Sequence, residues 1–100
     1  MARQKEGRFK TEVHTELKQR FPGIDIIGGN SAMRQGIPDT LLQWQGRHAW
    51  LEFKKSDGAE KQPNQDYYVD KFNNEGTFSS FIYPENKEEV LNALERAWKA

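Results

Sequence analysis

Phe9, Val13, Leu17 and Phe21 recur at every fourth position inside a strongly polar run, the stripe of an amphipathic helix that ends before Pro22-Gly23. Ile24, Ile26 and Ile27 around Asp25 then predict a short strand, broken by Gly28-Gly29-Asn30. Two apolar runs follow, Thr40 to Trp44 and Ala49 to Lys54, separated by Gln45-Gly46-Arg47-His48, which predicts a β-hairpin. After a turn at Ser56-Asp57-Gly58-Ala59, a helix is expected from about Pro63 to Asn74. It presents Gln65, Tyr68 or Val69, and Phe72 at helical spacing, with Gly76 as its stop. Phe78 to Tyr83 predicts a strand ended by Pro84. Asn86-Lys87-Glu88-Glu89 resembles a capping box opening a last helix with a buried stripe of Val90, Leu91, Leu94, Ala97 and Trp98.

The expected order is therefore helix, three strands, helix, strand, helix (αβββαβα). The connection from the strand at Leu51 through the Gln65 helix to the strand at Phe81 is long enough for a right-handed parallel crossover, which predicts an α/β fold with a mixed sheet flanked by helices. Trp44, Trp50, Phe53, Phe81 and Trp98 fall on strand and helix periods, so they are read as core or half-core.

One hundred residues suggest one small domain over 1–100 with a thin core. The absence of cysteine excludes disulfides, thiolate zinc sites and cysteine nucleophiles, and fits a reducing compartment. With no membrane-length apolar stretch and no apolar core after Met1-Ala2-Arg3-Gln4-Lys5, a soluble, cytoplasmic protein is expected. Net charge is zero, so the distribution carries the information. Arg3, Lys5, Arg8 and Lys10 crowd the start, Arg34 lies in a glycine-bounded loop, and Lys54, Lys55 and Lys61 cluster later. Glu85, Glu88, Glu89 and Glu95 make the last segment more acidic.

The chemistry centres on Pro38-Asp39 and Glu52-Phe53-Lys54. Alternation along a strand points Glu52 and Lys54 one way and Ala49, Leu51 and Phe53 the other. A two-residue turn at Gln45-Gly46 sets Asp39 opposite Glu52. A turn at Gly46-Arg47 sets it opposite Lys54, and a three-residue loop with a bulge would blur the pairing. Pro-Asp before a strand is also ordinary turn chemistry, and Glu-x-Lys an ordinary ion pair; the two together on one hairpin carry the signal. Two carboxylates a few ångströms apart raise each other's pKa unless a cation sits between them. Magnesium takes oxygen ligands and keeps several waters, so two carboxylates and a backbone carbonyl leave room for a phosphate and a nucleophilic water. Lys54 would then orient and deprotonate the water, or offset charge on the phosphorane.

The succession Glu6, Gly36-Ile37-Pro38-Asp39, Glu52-Phe53-Lys54 and Gln65 resembles the PD-(D/E)xK nuclease superfamily. Within it, the chain is similar to the small stand-alone VRR-NUC domains found in bacteriophages and related to the nuclease domain of Fanconi-associated nuclease; archaeal-type junction resolvases are the nearest alternative. The resemblance runs from Glu6 to the final helix and implies a restriction-endonuclease-like core. It also implies a Mg2+- or Mn2+-dependent, structure-specific DNA endonuclease, a Holliday-junction-resolving homodimer in the cytoplasm, or in the host cell's cytoplasm if phage-encoded. A flap or nicking nuclease on other branched or single-stranded DNA, and a catalytically inactive DNA-binding subunit, are the alternatives.

The resemblance assigns the metal to Asp39, Glu52 and the Phe53 carbonyl, with Glu6 completing the shell in preference to Glu12 or Glu16. Lys54 serves the water, and Gln65 reaches back to it, with Gln62 as a rival. Asn30, Ser31, Arg34 and Gln35 are expected DNA contacts, and Lys55 a phosphate contact. His14 and His48 lack metal-ligand spacing and are read as surface residues.

Overall fold

The computed structural model describes residues 2–28 and 35–100, with side chains from residue 7 onward in the first stretch. Its element order matches the expectation: α1 (Ala2–Arg20), β1 (Asp25–Gly28), β2 (Thr40–Trp44), β3 (Arg47–Phe53), α2 (Gln65–Asn74), β4 (Phe78–Ile82) and, after a 3-10 turn at Pro84–Asn86, α3 (Lys87–Lys99).

The strands form one sheet in the order β1-β2-β3-β4. Strands β1, β2 and β3 are antiparallel in succession, and β4 joins β3 in parallel, so the long connection through α2 is a crossover. Between β2 and β3 the chain turns on two residues, Gln45 and Gly46, both with positive φ (49° and 78°). That is the type I′ geometry whose twist suits a hairpin. It pairs Trp44 with Arg47 and Thr40 with Leu51, fixing the register left open by the sequence.

One face of the sheet is dry. Phe9, Val13, Leu17 and Phe21 from α1, and Val90, Leu91, Leu94 and Trp98 from α3, cover Leu42, Trp44, Ala49, Leu51, Phe53 and Ile82. Each such large side chain contributes about 1.5–3 kcal/mol by leaving water. Phe21, Trp44 and Trp98 form an aromatic knot with centroids 5.1–6.0 Å apart. The Trp44 indole N–H donates to the Pro22 carbonyl. Arg20, paired with Glu16 on its own helix, joins α1 to α3 through Glu88 and Glu95, and Lys87 of α3 joins Glu16, so part of the acidic C-terminal charge is paired between the two helices. On the other face, Trp50 stacks on Phe72 of α2 (5.6 Å), and Val69 is buried.

Three local expectations change. Helix α2 begins at Gln65, because Asn64 adopts a left-handed conformation (φ 70°) that holds Pro63 in the preceding turn. Asn86 does not cap α3 with its side chain. Its Oδ1 accepts from the Tyr83 N–H, and its Nδ2 donates to the Phe81 carbonyl, which serves the 3-10 turn instead. Ala97 is exposed, leaving Val90, Leu91, Leu94 and Trp98 as the buried stripe. Gly76 does stop α2, with φ 94° and the paired bonds Gly76 N–H to Asn73 C=O and Thr77 N–H to Phe72 C=O of a Schellman ending. Among the described residues, no helix is long and apolar enough to cross a membrane.

Candidate active site

The hairpin register carries Asp39 to the position across from Glu52, one step beyond the Thr40–Leu51 pair. There the Asp39 backbone N–H donates to Glu52 Oε1 (3.0 Å). Pro38, fully buried, anchors the approach to Asp39, and the Thr40 hydroxyl donates to Asp39 Oδ1 (2.8 Å), which fixes the carboxylate's orientation. Strand β3 alternates as expected: Ala49, Leu51 and Phe53 enter the dry core, while Trp50 and Glu52 face α2.

The first residue of α2 completes the arrangement. Gln65, itself buried, donates from Nε2 to Glu52 Oε2 (3.0 Å) and accepts at Oε1 from Lys54 Nζ (2.7 Å) and from the Gln62 N–H (2.9 Å). Lys54 also donates to the Glu60 carbonyl (3.2 Å). The amine therefore reaches the acidic pair through the glutamine amide. Lys54 extends the sheet by one more bond, its N–H donating to the Ile82 carbonyl, so its backbone is held by β4 while its side chain crosses to α2.

Glu52 is only 7 % exposed, and its pKa is pushed up to about 7. Burial is the main cause and the Asp39 charge the second; Lys54, the Asp39 N–H and Lys10 pull the other way. A carboxylate held at such an affinity near neutral pH, beside a second acid, is an incompletely neutralised site.

Asp39 and Glu52 open on a cleft of about 590 Å³ lined also by Gln35, Gly36, Ile37, Gln62 and Gln65. Lys54 borders a second hollow of about 300 Å³, lined also by Lys61 and Phe81. The cleft wall is tightly built. Gly36 has φ 94°, and a Cβ on it would lie 2.6–2.8 Å from Asn64 Cβ, C and O. The approach to Asp39 and the start of α2 are thus pressed together where only glycine fits.

Among the described residues, no group of three His, Cys, Asp or Glu is placed to hold a metal ion; the acids that meet are Asp39 and Glu52. Two carboxylates with water completing the shell nonetheless suit a hard divalent ion, which would offset the Asp39 charge that adds to burial in raising the Glu52 pKa. Glu6 lies on α1, but its side chain, like Asn30, Ser31 and Arg34, is outside the described residues. Gln35 lines the cleft and Lys55 is exposed. Thr40, Gly36 and Lys10 were not among the expected site residues. Lys10 had one signal in the sequence, its position one helical turn after Glu6. Comparison with protein-family models, with curated proteins and with solved structures gave no match.

Proposed function

We propose that this chain is a Mg2+- or Mn2+-dependent DNA endonuclease, cutting branched DNA of the four-way-junction type as a homodimer in the cytoplasm. The observation that carries the reading is the hydrogen-bonded chain from Asp39 through Glu52 and Gln65 to Lys54, in which Asp39, Glu52 and Gln65 line one cleft and Lys54 attaches to it through the Gln65 amide.

Asp39, Glu52 and the Phe53 carbonyl would hold the cation, with Glu6 as a further donor. A bound divalent ion supplies neutralisation of the phosphate charge and eases ionisation of a water. The Thr40 hydroxyl and the Gln65 amide hold the two carboxylates in place, so little reorganisation is needed when substrate arrives. Lys54 spends two of its three N–H donors on Gln65 and Glu60, which leaves one for the attacking water or a phosphate oxygen. Hydrolysis forms a bond from water oxygen to phosphorus and breaks the bond from phosphorus to the 3′ oxygen. The 3′ oxygen takes a proton, leaving a 5′-phosphate and a 3′-hydroxyl. Gln35 on the cleft wall and exposed Lys55 suit contacts to the flanking backbone; Asn30, Ser31 and Arg34 are assigned the same role from the sequence resemblance alone.

The test is cleavage of labelled four-way junction, flap and linear duplex with Mg2+, Mn2+ or a chelator. Preferential, metal-dependent cutting of the junction is expected. Preferential flap cutting moves the substrate to other branched DNA, and binding without cutting leaves a DNA-binding subunit. Lys54→Ala should lower cleavage by at least about 100-fold, the scale of a lost transition-state contact, with unchanged circular dichroism. Unaltered cleavage removes the proposed site.

A further inference from the structure

Lys10, His14 and Lys18 follow one another at every fourth position of α1, beside the buried stripe of Phe9, Val13 and Leu17. Four residues of helix rise about 6 Å, so the three heads form a row whose step is of the same order as the step between successive phosphates of a DNA strand. We propose that this row is a track for the sugar-phosphate backbone of a substrate arm, running along α1 from the Asp39/Glu52 cleft. The proposal rests on the nuclease reading and extends it to residues that reading does not use.

One end of the row comes near the site from the α1 side of the sheet. Lys10 Nζ lies 5.5 Å from the centroid of the Phe53 ring, on the face of β3 opposite Glu52, and its charge is still felt by Glu52. The His14 ring packs edge-on against the same phenyl ring at 6.0 Å, which fixes the middle of the row to β3. Lys18, the far member, is exposed.

Arg20, further along the helix, is committed to Glu16, Glu88 and Glu95. Among the described residues, neither Lys10 nor Lys18 takes part in an ion pair. His14 is held below its ordinary pKa by burial first, then by Lys18 and Lys10. Two lysines with an imidazole between them, one helical turn apart along one flank, match an anion that repeats at the same interval. A phosphodiester backbone is such an anion, and it is the substrate of the adjoining cleft.

The two kinds of residue give different signatures. The lysines neutralise phosphates and so release counterions on binding, while the imidazole contributes a hydrogen bond. Binding of a labelled four-way junction is measured against salt concentration, with Mg2+, in an Asp39→Asn background that cannot cut. Lys10→Gln/Lys18→Gln should reduce the slope of log K against log salt by about 2, near 0.9 for each phosphate neutralised. His14→Ala should weaken binding several-fold at unchanged slope, and His14→Gln should restore part of it. Lys71→Gln, on α2 and paired with Glu75, should leave both unchanged. If the double variant does not fold, each single lysine variant should lower the slope by about 1. An unaltered slope in the lysine variants, or no junction binding by the parent, overturns the track. Slope loss together with absence of metal-dependent cutting by the wild type sinks the nuclease reading and leaves the track standing.

Discussion

Ionising Glu52 should cost the metal-free protein measurable stability. Its pKa stands at about 7, against an ordinary 4.5. At about 1.4 kcal/mol for each factor of ten in proton affinity, full ionisation costs about 3 kcal/mol relative to the unfolded chain. Because the folded-state value is raised, this contribution is complete below about pH 4.5 and is lost as pH rises through about 7. A domain of this size is held by roughly 5–15 kcal/mol, so the loss is large enough to read by urea denaturation in chelator between pH 5.5 and 8. His14 opposes it. Its pKa is lowered by burial, Lys18 and Lys10, so its contribution falls as pH drops below about 6.5, and the series belongs in a His14→Gln background. Glu16 titrates below this window, and the raised groups Lys71, Tyr83 and Lys87 titrate above it. Asp39→Asn removes the neighbouring charge and keeps an acceptor for the Thr40 hydroxyl, so the fall should shrink without vanishing, since burial is the larger cause. Adding Mg2+ or Mn2+ at pH 8 should restore stability to the parent and not to Asp39→Asn. A flat profile in the His14→Gln background, or an equal fall with and without the Asp39 charge, refutes the reasoning.

Two further variants probe the walls of the cleft. Gly36→Ala should cost about 2 kcal/mol or more and reduce cleavage, since its Cβ meets the Asn64 backbone; Gly23→Ala, also at positive φ but in open space, should lose only about 1–2 kcal/mol, and equal losses at the two sites would argue against the close approach. Gln65→Leu strips a partner from Glu52 Oε2, Lys54 and the Gln62 N–H, so stability should drop by about 1–3 kcal/mol and cleavage with it; a stable, active variant would show that the amide bridge is dispensable.

The elements legible in the sequence were those specified by periodicity within a single segment. The stripe of Phe9, Val13, Leu17 and Phe21 gave α1, and period-two alternation from Ala49 to Phe53 gave β3 and the direction of Glu52. Register needed one more fact, the positive φ of both Gln45 and Gly46, which the residue types allow without choosing among the three turns considered. The start of α2 was misplaced because the preference of Pro63 for a first helical turn is local. Asn64, pressed against Gly36 from a distant loop, sets the boundary. Asn86 had the residue type of a helix cap, but the carbonyl and N–H of the β4 end, at Phe81 and Tyr83, compete for the same amide. Ala97 lay at helical spacing with too small a side chain to reveal which flank it occupied.

The candidate site was legible to the extent that its parts share the hairpin. Strand geometry brought Asp39, Glu52 and Lys54 to one end of the hairpin and the observed turn then set Asp39 across from Glu52, whereas the attachment of Lys54 to Gln65 crosses from sheet to helix and was expected only from the family resemblance. Lys10 required knowing which flank of α1 turns toward Phe53, and nothing in a helical stripe specifies that.

The division of labour between the two faces of β3 explains how so small a domain carries a destabilised acid pair. Leu51 and Phe53, with Ala49, are sealed beneath α1 and α3, where the apolar side chains supply cohesion independent of pH or ions. Glu52, between them in the chain, must emerge on the opposite face under α2, and period-two geometry gives it no alternative. Its desolvation is therefore imposed by the fold, and the Asp39 N–H and the Gln65 amide offset only part of it. What they leave over keeps the Glu52 pKa at about 7. Lys54 does not reach Glu52 directly: its amine is held by Gln65 and Glu60, so its charge acts on Glu52 through the glutamine amide.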